Sequence, residues 1–454
     1  FVVAADATTV LLRMGKRLRA LAADTDPKDR PDDDKPSRRS GWLDLNRVRL
    51  MLDPPAEWRQ MLREVWRLQR DQFWVEDMSG IDWDAVWQRY APLLPKVGTR
   101  AELSDLIWEL QGELGTSHAY EMRGDYRDSP DYKQGFLGAD LIFDATNDTW
   151  VIEKILSGDS WDPKYASPLH RPGVEVSQGM RLLAINGQPV SQEDPPYELL
   201  VNTAGQEVAL KVANPDGSAS KTVAVEPIGS EESLRYRDWV ETNRAYVHEK
   251  TGGKVGYFHV PDMGPFGYSE FHRGFLTEID HEGLIVDIRF NGGGHVSQLL
   301  LNKLARDRIG YSVTRWMGVE PYPTESPRGP MACLINEYAG SDGDIFSNGF
   351  RTMKLGKLIG RRTWGGVVGI WPRNTLVDGT LTTQPEFSNW FQGVGWGIEN
   401  YGVDPDIVVD ILPADYAAGR DPQLDRGIEE VLKEIEANPP ILPDFSERPN
   451  LGVH

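Results

Sequence analysis

Two apolar runs near the middle of the chain decide most of what it can fold into. Gly283 to Phe290 ends in Asn291-Gly292-Gly293-Gly294, and Met331 to Ile335 leads to Ala339-Gly340-Ser341-Asp342. Each run is strongly apolar, and each hands the chain to a segment of helical character. With Lys254 to Val260 before them and Leu358-Ile359-Gly360 after, the units predict an α/β layer with a largely parallel sheet over residues 230 to 440. No internal repeat is present.

Upstream the apolar period changes twice. Trp58, Met61, Leu62, Val65 and Trp66 recur at helical spacing, as do Trp83, Val86, Trp87 and Tyr90. A third helix is expected from a capping box at Thr99 and Glu102, through Leu103, Leu106, Ile107, Leu110 and Leu114, to a stop at Gly115. This makes a helical domain of 41–133. From 134 to 229 short strands take over (Ala139 to Phe143, Trp150 to Ile155, a pair after Gln206). Gly135-Phe136-Leu137-Gly138 followed by Gly179 to Asn186-Gly187 resembles a PDZ domain, in which the glycine loop takes a carboxylate and an extended peptide adds as a strand. Residues 23–40, ADTDPKDRPDDDKPSRRS, read as a charged linker, and 441–454 as a tail.

Composition removes several function classes. Lys plus Arg number 49 against 69 Asp plus Glu, a net charge of −20, so a phosphate backbone or anionic membrane would be repelled over most of the surface. The single cysteine, Cys333, sits inside an apolar run; no intrachain disulfide can form, and a small buried residue in a reducing compartment is expected. With no apolar stretch of membrane-spanning length, a cytoplasmic protein is expected. The opening Phe1 suits a piece of a longer or processed protein.

Ser341 stands where a strand breaks into a helix, which exposes a hydroxyl beside backbone N–H groups that lack intrahelical partners. A plain N-cap serine would read the same way in isolation. Acyl transfer further needs a base. Of eight histidines, His170, His248, His259, His272, His281 and His454 fall in ordinary loop, strand or tail contexts, and His281-Glu282 lacks the second histidine of a zinc-peptidase helix. His295 follows the triple glycine and competes with His118, which stands at a helix exit beside Ser117.

Taken with the Asn-Gly-Gly-Gly loop, the Gly-Ser-Asp turn and Gly397-Ile398-Glu399-Asn400-Tyr401-Gly402-Val403-Asp404-Pro405-Asp406, the chain resembles the tricorn protease family over residues 40 to 420. The resemblance implies a multidomain α/β protein: a helical domain, a PDZ-like β domain and a crotonase/ClpP-like α/β serine peptidase domain. It implies a tetrad of Ser341 as nucleophile, His118 as base and acid, Ser117 beside it and Glu399 behind Ser117, with oxyanion donors from the backbone of Asp342 and of Gly293 or Gly294. It further implies oligopeptide substrates, a homo-hexamer, hand-over to downstream aminopeptidases, and no metal or cofactor. Residues 1–22 would be the end of an upstream β-propeller.

The related carboxyl-terminal processing peptidases activate serine with a lysine about 25 residues on; here that stretch reads Thr363-Trp364-Gly365-Gly366-Val367, leaving only Lys357 for a Ser/Lys dyad. Asp307, Glu320 and Glu325 are acids offered between the glycine loop and the nucleophile, and none matches a family position for selecting basic residues. A non-catalytic peptide-binding scaffold built on the PDZ-like domain is the alternative from another class.

Overall fold

The computed structural model describes all residues except 27, 29–32, 128, 160–165, 442, 450, 453 and 454. Parts of the expected linker and tail, His454 included, thus lie outside the described residues. The chain opens with an antiparallel sheet of β1 (Val2–Val3), β2 (Thr9–Met14) and β3 (Arg17–Ala22).

Three helices follow: α1 (Pro54–Gln72), α2 (Trp83–Tyr90) and α3 (Arg100–Gly112). Each begins on a side chain that accepts a first-turn N–H, from Asp53, Asp82 and Thr99, and the Thr99–Glu102 capping box forms in both directions. Met61, Leu62, Val65, Trp66, Leu103 and Ile107 close one core between them. Leu114 is buried just beyond α3, and Gly115 takes φ 61°, turning the chain toward Ser117 and His118. Two residues further on comes β4 (Glu121–Met122).

The next domain is antiparallel: β5 (Ala139–Asp144), β6 (Thr149–Ile155), β7 (Arg181–Ile185), β8 (Gln188–Pro189), α4 (Pro196–Leu199), β9 (Val208–Ala213) and β10 (Lys221–Val225), ordered β10-β9-β7-β6-β5 with β8 on β7. Its glycine loop is largely occupied from within the chain. Gly135 N–H donates to Leu200 O, Phe136 N–H to Ile228 O, and Gly138 N–H to the Glu231 carboxylate at 2.8 Å.

The last domain comprises α5 (Glu232–Thr251), β11 (Val255–His259), α6 (Pro265–Glu278), β12 (Gly283–Asp287), α7 (Ser297–Leu304), the hairpin β13 (Gly310–Val313) and β14 (Val319–Tyr322), β15 (Met331–Ile335), α8 (Asp342–Thr352), β16 (Gly356–Gly360), β17 (Asn374–Thr375), β18 (Leu381–Thr382), β19 (Ile407–Val408), α9 (Pro413–Ala417) and α10 (Pro422–Ala437). Five strands run parallel in the order β11-β12-β15-β16-β19. Because side chains alternate along a strand, the sheet builds two cores. Phe258, Val286, Cys333 and Leu358 meet Phe271, Leu300 and Phe346 on one face; Tyr257, Ile285, Leu334 and Ile359 meet Val247, Leu424 and Val431 on the other. Cys333 is fully buried, which pushes its thiol pKa up.

The glycine loop after β12, the turn after β15 and residues 363–366 after β16 all emerge from the carboxyl ends of the strands, where parallel sheets place their ligands. A small sheet, β17-β18-β4, joins this edge to the helical domain: Leu381 pairs with Met122 and Thr382 with Glu121. Arg100 reinforces the junction, reaching Glu121 at 2.7 Å and Asp378 at 2.8 Å with all three side chains nearly buried.

Candidate active site

Ser341 leads α8 with φ 56° and ψ −118°, backbone values that a non-glycine residue avoids unless its surroundings impose them. Three contacts do so. Gly340 N–H donates to Asn291 O at 3.0 Å, and the Ser341 N–H donates to Asp344. The Asp342 carboxylate accepts the Ser297 N–H at 2.9 Å and its hydroxyl at 2.5 Å, tying the start of α8 to the start of α7. Among the described residues the Ser341 hydroxyl caps no helical N–H, so the serine is not spent as an N-cap.

The hydroxyl instead meets His118 across 223 residues: Ser341 Oγ lies 3.1 Å from His118 Nε2. His118 Nδ1 lies 2.7 Å from Ser117 Oγ, which lies 3.2 Å from Glu399 Oε2. A single assignment satisfies every contact: Ser341 O–H donates to Nε2, Nδ1–H donates to Ser117 Oγ, and the Ser117 O–H donates to the carboxylate. Glu399 also accepts the Ser117 N–H at 2.6 Å, Val367 N–H at 2.6 Å and Val368 N–H at 2.9 Å, so four donors hold it in place.

His118 is itself held in an uncommon conformation, φ 65°, with 8% of its surface exposed. Thr383 Oγ donates to the His118 carbonyl and accepts the Tyr120 N–H, clamping the segment to the residue that follows β18. The rings of Tyr120 and Trp364 lie 5.5 Å from the imidazole on either count. Burial holds His118 below its ordinary pKa, and the charge of Glu399 partly opposes this. The imidazole is therefore neutral and able to accept a proton at neutral pH.

The backbone beside Ser341 carries free donors. Gly292 N–H goes to Pro261 O and Gly293 N–H to Asn291 Oδ1 at 2.9 Å, whereas Gly294 N–H and Asp342 N–H have no partner among the described residues. Gly293 has φ 77°, and a Cβ there would stand 2.6 Å from Ser341 Cβ, so only glycine lets this loop approach the serine.

The competing residues lie apart. His295 is exposed, its N–H paired to Met263 O. Lys357 is exposed in the first half of β16, in register with Ala332, at the opposite end of the sheet from Ser341. Asp307 is exposed, Glu320 lies opposite Ser312 in the β13–β14 hairpin, and Glu325 pairs with Lys303. One carboxylate escaped the sequence reading. Asp344, fully buried in the first turn of α8, accepts from Ser341 N–H, Thr363 O–H, Gly365 N–H and Gly366 N–H, and burial pushes it up to about 6. Its signal was present as an acid in the first turn after the nucleophile.

Family models match three stretches: tricorn protease C1 domain at 54–112, tricorn protease PDZ domain at 135–230, and peptidase family S41 at 254–409. Tricorn protease homolog 1 of Streptomyces coelicolor is 46% identical over 440 residues, covering 97% of this chain and 41% of the relative. Tricorn protease of Thermoplasma acidophilum is 41% identical over 411 residues, covering 90% and 37%. A crystal structure of the tricorn protease superposes with a TM-score of 0.88 at 40% identity, over 96% of this chain and 41% of that one. The chain thus spans about two-fifths of the length of these relatives.

Proposed function

For a chain that belongs to the tricorn protease family, with C1, PDZ and S41 peptidase domains in that order, we propose serine endopeptidase activity on oligopeptides, carried by a Ser341–His118–Ser117–Glu399 relay. The observation that supports this most is the 3.1 Å contact between Ser341 Oγ and His118 Nε2, which joins residues from two domains.

In the proposed reaction, Ser341 Oγ attacks the scissile carbonyl while its proton passes to His118 Nε2. The imidazolium so formed is stabilised through Nδ1–H and the Ser117 hydroxyl by Glu399, the role an acid takes behind a catalytic histidine. The carbonyl oxygen, now an anion, takes the free N–H groups of Asp342 and Gly294, an arrangement worth about 3 kcal/mol of barrier per donor. Gly293 serves by packing closely, its own N–H being engaged by Asn291. His118 returns the proton to the leaving amine, and water repeats the cycle on the acyl-enzyme.

The surroundings fit this reading. The anionic surface repels nucleic acid, and among the described residues no helix is long and apolar enough to cross a membrane. A cytoplasmic, homo-oligomeric peptidase feeding aminopeptidases remains part of the proposal. The scaffold alternative gains little, since Glu231 already engages the Gly138 N–H of the PDZ-like loop.

The test is treatment with a small fluorophosphonate followed by intact mass and peptide mapping. One adduct on Ser341, lost in Ser341→Ala, is the expected result. A folded protein that takes up no adduct, or takes it elsewhere, overturns the assignment.

A further inference from the structure

The end of the peptidase sheet remote from Ser341 gathers a second cluster of chemically active side chains. His248 lies in the last turn of α5, Glu278 closes α6, and His281 sits in the turn before β12. Their candidate ligand atoms all fall within 4.8 Å of one another. His248 Nε2 is 2.7 Å from Glu278 Oε2, and His281 Nε2 is 3.5 Å from the same oxygen. Close packing makes room for this: a Cβ on Gly256 would stand 2.9 Å from Glu278 Cβ and 3.0 Å from His281 Cδ2.

We propose that His248, Glu278 and His281 form a site for a divalent transition metal ion of the zinc type, which clips the ends of α5 and α6 together behind the sheet. Two imidazoles and one carboxylate are the donor set that such ions take, with a further position left for water. Three observations carry this beyond mere proximity. First, His281 Nδ1 lies 2.7 Å from Gly253 O, a carbonyl that can only accept, so the ring proton sits on Nδ1. That is the outer-shell bond that orients a metal-binding histidine. Second, this leaves Nε2, 3.5 Å from the Glu278 oxygen, as the ring nitrogen open to a metal ion or to a second proton, the two alternatives that the experiment below separates. Third, the Glu278 side chain is only 2% exposed while the histidines are 32% and 24% exposed, so a fixed carboxylate is covered by two rings with solvent beyond them.

Glu278 also accepts the Tyr257 N–H on the outer edge of β11 at 3.1 Å and lies 3.4 Å from Arg244. These contacts hold the carboxylate in position without the ion, so the ion is an added clip and not a condition of folding. Since the site lies at the amino ends of β11 and β12, the ion has no part in the proposed peptide cleavage.

The experiment uses the full chain, stripped with a chelator and dialysed, then titrated with Co2+ by visible absorption and with Zn2+ by calorimetry. The expected result is one ion per chain, binding weakened at least tenfold in His281→Ala and in His248→Ala, and a thermal midpoint raised by Zn2+ in the wild type only. Fluorophosphonate labelling of Ser341 stays unchanged throughout. Absence of stoichiometric uptake, or uptake equal in the wild type and both variants, overturns the site. So does a cluster that titrates protons alone, with no Co2+ spectrum.

Discussion

Replacing Glu399 by Gln tests the relay at its far end without changing shape. The carboxylate accepts Ser117 N–H through Oε1, and Ser117 O–H, Val367 N–H and Val368 N–H through Oε2. Glutamine offers one acceptor oxygen. Placed at Oε2 it keeps three of these bonds as neutral ones, and its amide nitrogen then faces the Ser117 N–H, donor against donor. Losing the charge and one partner removes about 2–4 kcal/mol. The imidazolium that this charge stabilises exists only as the serine reacts, so the loss falls on the barrier and slows the reaction roughly 30- to 1,000-fold. The pH profile supplies an independent sign. Burial lowers the His118 pKa and Glu399 raises it, so the variant histidine loses its proton at still lower pH. The assay is the second-order rate of fluorophosphonate labelling measured from about pH 5 to 8. The adduct on Ser341 remains detectable, at a lower plateau, with the acid limb moved to lower pH. A plateau within threefold of wild type, or an acid limb moved upward, refutes the relay.

Ser341→Ala abolishes labelling and peptide hydrolysis while the unfolding midpoint holds; turnover surviving in a pure preparation would contradict the nucleophile. Gly293→Ala drives a methyl to 2.6 Å from Ser341 Cβ at φ 77°, and about 1–3 kcal/mol of strain appears as lost labelling and a lower midpoint in urea. Thr99→Ala removes the helix cap and costs about 1 kcal/mol of stability, leaving the labelling rate intact. Asp344 carries a pKa raised from 3.8 to about 6, so the folded state holds its proton more tightly than the unfolded chain. Its contribution to stability is fully present below pH 3.8 and is lost as pH rises to about 6, by about 3 kcal/mol. Urea titrations across that window show this slope in the wild type and lack it in Asp344→Asn.

Elements with a local signal were readable from the sequence. The Thr99–Glu102 capping box, the Met331 to Ile335 strand and the largely parallel sheet follow from period, caps and apolar runs that act within a dozen residues. The junction was not readable. β4 and β18 are two residues each, and they pair across some 260 positions, too short for any periodicity to register. Thr383, whose hydroxyl clamps His118, lies in that junction and carries no pattern of its own. Ser341 was ambiguous for a different reason: an N-cap and a nucleophile share a sequence context, and only φ 56° with a free hydroxyl separates them. The motif around Ser341 points to Asp342 for its backbone N–H, and its carboxylate, which ties α7 to α8, has no sequence signal of its own.

The clamp between β4 and β18 also bears on when the site can assemble as the chain is made. A growing polypeptide releases residues 117 and 118 long before residue 341, and the carboxylate at 399 later still. Until β17 and β18 have emerged to grip the strand after His118, the imidazole has no fixed place and the serine has no base. On the proposed chemistry the base and the nucleophile therefore come together only once these later residues have emerged, and a polypeptide truncated before Glu399 lacks the complete relay.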